Sequence, residues 1–237
     1  MRPLRHSDEK PSRGEEDCAG DAGSLNRTAV LIPFKAGQSK SRLSRVLDAD
    51  QRRRLAELML ADVLGVFRGA DLSLRCYVVS SDLEALALAR RLGGGTIAEP
   101  RNEGVNAAVE MGMRTLGRNH DFMVAPSDLP LLAPGEIKRA LNLKRIFDCV
   151  ISPSRLFDGT NLLVFSGRAA PALSYDSDSF WNHIGGAAKE GLSLAVCCGE
   201  GVMFDVDTPE DLRTLARIRR RIPSAEFAKE ALKKRTS

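Results

Sequence analysis

Residues 28–44 read TAVLIPFKAGQSKSRLS, and the order of their parts indicates the architecture. The first seven residues form an apolar run that predicts a buried strand. In the loop that follows, Lys35, Lys40 and Arg42 are separated by small and polar residues. From Asp48 to Gly69 the apolar residues recur at helical spacing. The chain is therefore predicted to form a strand, a basic loop and a helix in succession.

The same alternation continues along the chain. Apolar runs that predict strands are RCYVVSS, TIAEP, DFMVAPSD, FDCVISP, NLLVFSG and LSLAVCC. Helices are predicted for SDLEALALARRLGG, GVNAAVEMGMRTLG and TPEDLRTLARIRR. Continuous apolar strands that alternate with helices are typical of an open, mostly parallel sheet. The predicted fold class is α/β: one Rossmann-like domain with helices on both faces of the sheet.

Composition favours an ordinary globular protein. The 237 residues are 43% hydrophobic, enough to form a core, and no apolar run approaches the length of a membrane span. The N-terminus lacks the apolar segment of a signal peptide, so we expect a cytoplasmic protein with no membrane partner. The predicted organisation is a disordered leader over residues 1–28, one domain over 29–222 and a basic C-terminal helix or tail over 223–237.

The positive charge is concentrated at the C-terminus. Residues 213–237 hold nine Lys or Arg and two Glu, whereas the whole chain carries a net charge of only +4. No aromatic platform or nucleic-acid motif accompanies these cations. We interpret them as a solvated helical face, so no nucleic-acid partner is expected.

The basic loop follows the first strand directly. Ligands of open α/β sheets bind beyond the carboxyl ends of the strands, which places Lys35, Lys40, Arg42 and the backbone around Gly37 at that edge. The loop is neither a P-loop nor a Gly-x-Gly-x-x-Gly turn, because the glycine spacing differs. From this loop alone, a phosphate site and a solvated turn both remain open.

Three aspartates favour the phosphate site. Asp128 in APSDLPLL follows an apolar strand, and Asp205 and Asp207 in FDVDTPEDL are predicted to end a late strand before a helix capped by Thr208. Each could simply stabilise a turn. Together with the basic loop they predict a Mg²⁺ nucleotide site, because Mg²⁺ binds a few carboxylates and completes its shell with phosphates and water.

Several motifs in this order resemble the 2-phospho-L-lactate guanylyltransferase family, the CofC-type enzymes of deazaflavin coenzyme F-420 biosynthesis. The motifs are PFKAGQSKSRLS, NEGVNAAV, APSDLPLL, DGTNLLVF, DSDSFWNHI and DVDTPEDL, spread over about residues 29–212. The resemblance implies a nucleotidyltransferase fold of the GT-A or MobA-like kind. It also implies transfer of GMP from GTP to 2-phospho-L-lactate, phosphoenolpyruvate or 3-phospho-D-glycerate, with release of pyrophosphate.

The resemblance also implies roles for individual residues. Lys35, Lys40 and Arg42 would act on the triphosphate and the acceptor phosphate, and Asp128 with Asp205 or Asp207 would bind Mg²⁺, Asp205 being favoured. Glu99, Gly104 and Asn106 would recognise the base and ribose, while Thr160 and Ser179 would hold the acceptor. His183 is interpreted as structural. A downstream deazaflavin transferase is the expected consumer of the product, and a homodimer is left open.

Two segments of the expected acceptor pocket depart from the family pattern. The residues before GTN in FDGTN are less rich in glycine than is usual in the family, and Asp176 in YDSDS replaces a glycine. An added carboxylate would repel an anionic acceptor unless it turns away or meets a metal. Two alternatives stay open at this point. One is another MobA-like enzyme of molybdenum-cofactor or sugar-nucleotide metabolism, and the other is a non-catalytic nucleotide-binding module.

Overall fold

The computed structural model describes residues 28–35, 40–70 and 74–234. The leader predicted over residues 1–28, apart from Thr28, lies outside the described residues, as do the loop around Gly37 and residues 235–237 of the predicted tail. No helix in the described part of the chain is long and apolar enough to cross a membrane.

Seven strands and seven α-helices alternate along the described chain. The strands are β1 (Thr28–Pro33), β2 (Arg75–Ser80), β3 (Gly95–Ala98), β4 (Asp121–Val124), β5 (Cys149–Pro153), β6 (Thr160–Ser166) and β7 (Leu194–Val196). The helices are α1 (Ala49–Gly69), α2 (Leu83–Arg91), α3 (Val105–Leu116), α4 (Pro134–Lys144), α5 (Ser179–Lys189), α6 (Pro209–Arg217) and α7 (Pro223–Lys233). A short 3₁₀ helix, Ser41–Arg45, precedes α1.

All seven strands form one sheet in the order β3-β2-β1-β4-β6-β5-β7. Strand β6 runs antiparallel to both of its neighbours, and every other pair is parallel. Only residues 154–159 connect β5 to β6, which is too short for the crossover that a parallel pair requires. The predicted mostly parallel sheet is confirmed, and the hairpin brings the start of β6 to the carboxyl edge of β1 and β4.

Helices cover both faces of the sheet, as predicted. Val30 and Ile32 of β1 pack in one cluster with residues of α1, α2 and α4. The alternate residues Ala29 and Leu31 pack in a second cluster with residues of α3 and with Phe180 of α5. This alternation follows from the two-residue period of a strand, and burial on both faces explains why β1 reads as a continuous apolar run.

The C-terminal helix packs onto the body of the protein. Ala225, Ala228 and Ala231 of α7 are buried in a third cluster with residues of α1 and α6. The Ser224 N–H donates to Asp62 of α1 at 3.2 Å. The basic side chains Lys229, Lys233 and Lys234 lie on the exposed side of α7. The alanines therefore form the packing face of this helix.

The sequence did not predict α4 and α5, and one predicted strand is absent. Two glycines within α5 weaken its helical signal. The FDVD segment, predicted as a late strand before α6, has no strand among its described residues. It is a loop held by the Val206 N–H, which donates to the Asp128 carbonyl at 3.2 Å. Long-range bonds of this kind leave no periodic pattern in the sequence.

Candidate active site

A cleft of about 880 Å³ opens beyond the carboxyl ends of the parallel strands. This is where open α/β sheets bind their ligands. Its charged lining consists of seven aspartates and two arginines: Asp128, Asp158, Asp176, Asp178, Asp205, Asp207, Asp211, Arg42 and Arg155. The cleft thus carries far more carboxylates than cations on its walls. A polyanionic ligand could bind here only if further positive charge accompanied it.

The predicted aspartates meet at the centre of the cleft. Asp128 follows β4, and Asp205 and Asp207 lie on the loop that leads into α6. The bond from the Val206 N–H to the Asp128 carbonyl, 3.2 Å long, fixes the two segments side by side. The prediction that these aspartates converge at one sheet edge agrees with their placement.

Lys40 bridges two of the aspartates. Its Nζ lies 2.5 Å from Asp128 Oδ2 and 2.5 Å from Asp207 Oδ1, and its side chain is 6% exposed. Burial would lower the pKa of Lys40, but the carboxylates of Asp128 and Asp207 outweigh burial and raise it above its ordinary value. Lys40 is thus a permanent cation beneath the cleft, and the backbone at its position is left-handed, with φ of 67°.

Asp205 has a different environment. Its Oδ1 accepts a hydrogen bond from Asn161 Nδ2 at 3.2 Å, and the same amide group donates to the Val202 carbonyl at 3.0 Å. Burial raises the pKa of Asp205, and the neighbouring charge of Asp128 raises it further. The amide of Asn161 opposes this rise. Asn161, in the second position of β6, therefore orients a predicted metal ligand.

These residues fit a divalent cation. Asp128 Oδ1 is buried and accepts no hydrogen bond from the described residues. A buried carboxylate oxygen without a partner is costly unless a cation or a donor meets it. Among residues 28–35, 40–70 and 74–234, no three His, Cys, Asp or Glu side chains form a complete protein-only metal site. A Mg²⁺ ion bound here would take one or two of these carboxylates and complete its shell with substrate phosphates and water.

Thr160 and Ser179 also line the cleft, where β6 and α5 begin. Thr160 Oγ1 is 2.9 Å from Nδ1 of His183. No side chain among the described residues caps α5 at Asp178, which has a left-handed φ of 56°. The Phe180 N–H in the first turn donates to the Asp158 carbonyl at 3.4 Å, and the positive dipole potential of a helix N-terminus favours an anion. The predicted acceptor residues therefore share an environment suited to carboxylate or phosphate oxygens.

Arg155 and Asp211 were not predicted as site residues. Arg155 Nη2 donates to Asp211 Oδ1, and its guanidinium lies 4.7 Å from the centroid of the Phe204 ring. Asp211 also accepts from the N–H groups of Asp207 at 3.1 Å and Thr208 at 2.8 Å. The capping role at Thr208 is confirmed. The pairing with Arg155 spans 56 residues of sequence, so the cap motif alone gave no sign of it.

Glu136 holds the loop before Asp205 in place. Its buried carboxylate accepts from the N–H groups of Ala133, Gly201 and Val202 at 2.9 to 3.2 Å. A Cβ added at Gly201 would lie 2.2 Å from the carbonyl oxygen of Leu131, so this position requires glycine. Hydrogen bonds to the Glu136 carboxylate thus take the place of the strand hydrogen bonds that were predicted for this segment.

The other predicted residues lie outside the lining of this cleft. They are Lys35, Glu99, Gly104 and Asn106. Burial raises the pKa of Glu99, and the nearby charge of Lys35 opposes that rise. Gly104 precedes α3 with a φ of 109°, a conformation that favours glycine.

Asn106 contacts the rim of the cleft through its side chain. Its Oδ1 accepts from the Tyr175 N–H at 2.8 Å, and its Nδ2 donates to Asp176 at 3.4 Å. Asp176 is one of the residues that line the cleft, and it is exposed to solvent. Asn106 therefore orients the segment that contains the unusual aspartate.

The fold and this cleft define a nucleotidyltransferase-type α/β protein. A solved nucleotidyl transferase from Methanothermobacter thermautotrophicus superimposes with a TM-score of 0.58 at 11% identity, covering 86% of this chain and 99% of that one. A family model described as guanylyl transferase CofC like matches residues 28–231. The chain belongs to this family, as the motifs predicted.

Three relatives show the range of the family. A 2-phospho-L-lactate guanylyltransferase from Methanocaldococcus infernus is 34% identical, over 77% of this chain and 82% of that protein. A phosphoenolpyruvate guanylyltransferase from Rubrobacter xylanophilus is 38% identical, over 78% of this chain and 92% of that protein. A 3-phospho-D-glycerate guanylyltransferase from Phenylobacterium zucineum is 32% identical, over 80% of this chain and 89% of that protein. The family match favours this group over the molybdenum-cofactor and sugar-nucleotide alternatives, and its members are enzymes.

Proposed function

We propose that this protein transfers GMP from GTP to a small phosphorylated acid and releases pyrophosphate, in the biosynthesis of coenzyme F-420. The observation that carries the proposal is the cleft lined by Asp128, Asp205 and Asp207, of which Asp128 and Asp207 pair with Lys40. The family membership supports the choice of guanylyl transfer. GTP is made in the cytoplasm, which is where we expect the reaction.

The chemistry requires no general base. An oxygen of the acceptor phosphate forms a bond to the α-phosphorus of GTP. The bond from that phosphorus to the oxygen bridging the β-phosphorus breaks, and pyrophosphate leaves with the electron pair. Because the acceptor phosphate is already ionised at neutral pH, no side chain has to remove a proton. The protein contributes positioning and stabilisation of the charge that builds up on the phosphates.

The carboxylates around Lys40 would hold Mg²⁺. Asp128 offers its unpartnered Oδ1, and Asp205 is oriented by Asn161 at 3.2 Å. Bound Mg²⁺ would neutralise phosphate charge and polarise the α-phosphate. Lys40 then supplies a fixed positive charge beside this site, and Arg42 supplies another on the wall of the cleft. Lys35 would contact the phosphates from the end of β1.

The two substrates would occupy different parts of the sheet edge. Glu99, Gly104 and Asn106 would bind the base and ribose near β3 and α3. Thr160, Ser179 and the start of α5 would bind the acceptor, with Arg155 on the connection between β5 and β6 supplying charge. Arg155 lies close to Thr160 in sequence, and its guanidinium is fixed by Asp211 and Phe204.

Asp176 bears on which acid is used. It lines the acceptor side of the cleft and pairs with the amide of Asn106 at 3.4 Å. A carboxylate at this point can accept a hydrogen bond from a hydroxyl group, whereas it repels an acceptor that offers only anionic oxygens. This favours the hydroxyl-bearing 3-phospho-D-glycerate over phosphoenolpyruvate and 2-phospho-L-lactate. The product would pass to a downstream deazaflavin transferase, and the enzyme could work as a homodimer.

Pyrophosphate release tests the proposal directly. The purified protein is mixed with GTP, Mg²⁺ and each of the three acids in turn, with ATP and CTP as nucleotide controls. A downstream deazaflavin transferase is added to consume a labile product. We expect release with GTP and fastest turnover with 3-phospho-D-glycerate. No release with any acid, despite measurable binding of GTP, would refute guanylyl transfer to this class of acceptor.

A further inference from the structure

His183 is a buried histidine whose two ring nitrogens both have partners. It lies on α5 with 0% of its surface exposed. Its Nε2 is 3.0 Å from the backbone nitrogen of Ser174, and its Nδ1 is 2.9 Å from Thr160 Oγ1. The ring also meets the Tyr175 ring edge-on, with centroids 4.7 Å apart. These contacts fix the imidazole in position and in orientation.

The backbone partner decides the tautomer. A backbone N–H can only donate, so the bond from Ser174 requires a lone pair on Nε2. In the neutral ring the proton is then on Nδ1, and Nδ1 must be the donor toward Thr160. Burial lowers the pKa of His183 to about 4, although a hydrogen bond to the Ser179 backbone opposes this, so the ring is neutral near pH 7.

This assignment has a consequence for Thr160. Because Nδ1 of His183 carries a proton, the Thr160 hydroxyl cannot donate to it, so the hydroxyl proton must go to a different acceptor. Thr160 is 5% exposed, and it lines the cleft. A threonine hydroxyl normally rotates to suit either a donor or an acceptor. In this site the Thr160 hydroxyl acts as a donor, and an anionic oxygen in the cleft would be a suitable acceptor for its proton.

We propose that His183 is a positioning residue for the acceptor: it fixes the Thr160 hydroxyl as a hydrogen-bond donor toward a carboxylate or phosphate oxygen of the phosphorylated acid. This inference rests on the proposed function, because it concerns the acceptor of that reaction. It explains why a histidine without access to the reacting phosphates is placed behind the acceptor pocket. It also explains why the residue at position 160 needs a hydroxyl group rather than only a compatible shape.

The tautomer can be measured directly in the whole protein. The chain has three histidines, so ¹⁵N resonances of the imidazole rings can be assigned with a His120→Leu variant and a His183→Asn variant. We expect Nδ1 of His183 to carry the proton at pH 7. A proton on Nε2 would overturn the inference whether or not the enzyme is active. The wild-type spectrum carries the result, and the two variants serve only to assign its resonances.

A double-mutant cycle tests the link to Thr160. His183→Leu removes the donor, and the loss of one hydrogen bond that orients an anion-binding group predicts a rise of about tenfold in KM for the acceptor. KM for GTP should stay within twofold. In a Thr160→Val background, His183→Leu should add no further rise. His183→Asn retains an amide N–H near the position of Nδ1, so its KM for the acceptor should lie between those of wild type and His183→Leu. His120→Leu serves as the control.

The outcomes separate this inference from the proposed function. If wild-type protein releases no pyrophosphate with any acid, guanylyl transfer fails, and the inference about its acceptor fails with it. If wild-type protein is active but His183→Leu raises the KM of GTP and of the acceptor equally, His183 is merely structural. Independent effects of His183→Leu and Thr160→Val would also overturn the inference while leaving the proposed function intact.

Discussion

Lys40 and Asp128 form an ion pair of 2.5 Å across 88 residues of sequence, and Lys40 pairs at the same distance with Asp207. A single buried cation thus bridges two carboxylates of the predicted metal site and offsets one of their two negative charges. Without it, three aspartates would repel one another at the end of the sheet. This pairing joins Lys40 to the turn after β4 and to the loop before α6.

The first prediction concerns Lys40→Met, which keeps the length of the side chain and removes its charge. We expect the free energy of unfolding in EDTA to fall by about 1–3 kcal/mol, because two carboxylates lose their counter-ion but remain partly exposed. That corresponds to a loss of several degrees in Tm. Millimolar Mg²⁺ should restore part of this loss, since a divalent cation can replace the missing charge.

Thermal unfolding of wild type, Lys40→Met and Lys138→Met, with EDTA and with Mg²⁺, measures this effect. Lys138 is exposed on α4, so its variant controls for the loss of a lysine charge. Equal Tm values for Lys40→Met in EDTA and Mg²⁺ would show that the carboxylates near Lys40 do not attract a divalent cation.

The second prediction concerns Asp128→Asn. The change retains side-chain volume and removes the carboxylate that both pairs with Lys40 and carries the unpartnered Oδ1. We expect turnover to fall by a factor on the order of 10³, because the variant loses charge stabilisation at the reacting phosphates. Asp50→Asn, on the exposed first turn of α1, is the matched control. Near-normal turnover of Asp128→Asn in saturating Mg²⁺ would rule out the assignment of Asp128 as a metal ligand.

Local signals in the sequence were enough to predict the alternating elements. Helix α1 has a capping box at Asp48 and an apolar stripe, and α6 begins with Thr208 and Pro209. These features depend on neighbours within a few residues, so they can be identified without knowing the fold. The continuous apolar run of β1 likewise indicated a strand buried on both faces.

Long-range contacts explain what the sequence did not reveal. The FDVD segment is apolar enough to resemble a strand, but its neighbours Gly201 and Val202 donate to the buried Glu136, 65 and 66 residues away. The Arg155–Asp211 pair spans 56 residues, and no local pattern marks it. By contrast, the convergence of Asp128 with Asp205 was predictable, because both were expected at the carboxyl edge of one sheet.

The third prediction concerns Arg155→Ala. Asp211 and Phe204 hold the guanidinium of Arg155, a residue that lines the cleft, and on the proposed function its removal should weaken binding of the anionic acceptor. The loss of a charge-assisted hydrogen bond predicts a rise of about tenfold or more in the KM of the acceptor, with a smaller effect on GTP. Initial rates at varied acceptor and saturating GTP measure this change. Arg168→Ala, an exposed arginine that contacts Asn119, is the control. An equal rise for both substrates would mean that Arg155 only supports the loop.

The fourth prediction is a pH dependence of stability that originates at His183. Burial lowers the pKa of this histidine to about 4 in the folded state, below the 6.5 of a free imidazole. Between pH 6.5 and pH 4 the unfolded chain binds a proton at His183 that the folded protein does not bind. The contribution of His183 to the free energy of unfolding is therefore fully present above pH 6.5 and decreases as the pH falls toward 4. One such group contributes a slope of up to about 1.4 kcal/mol per pH unit. Urea unfolding of wild type and His183→Leu from pH 7.5 to 4.5 isolates this contribution. The variant should show the shallower dependence, and identical slopes in the two proteins would contradict a neutral, buried His183.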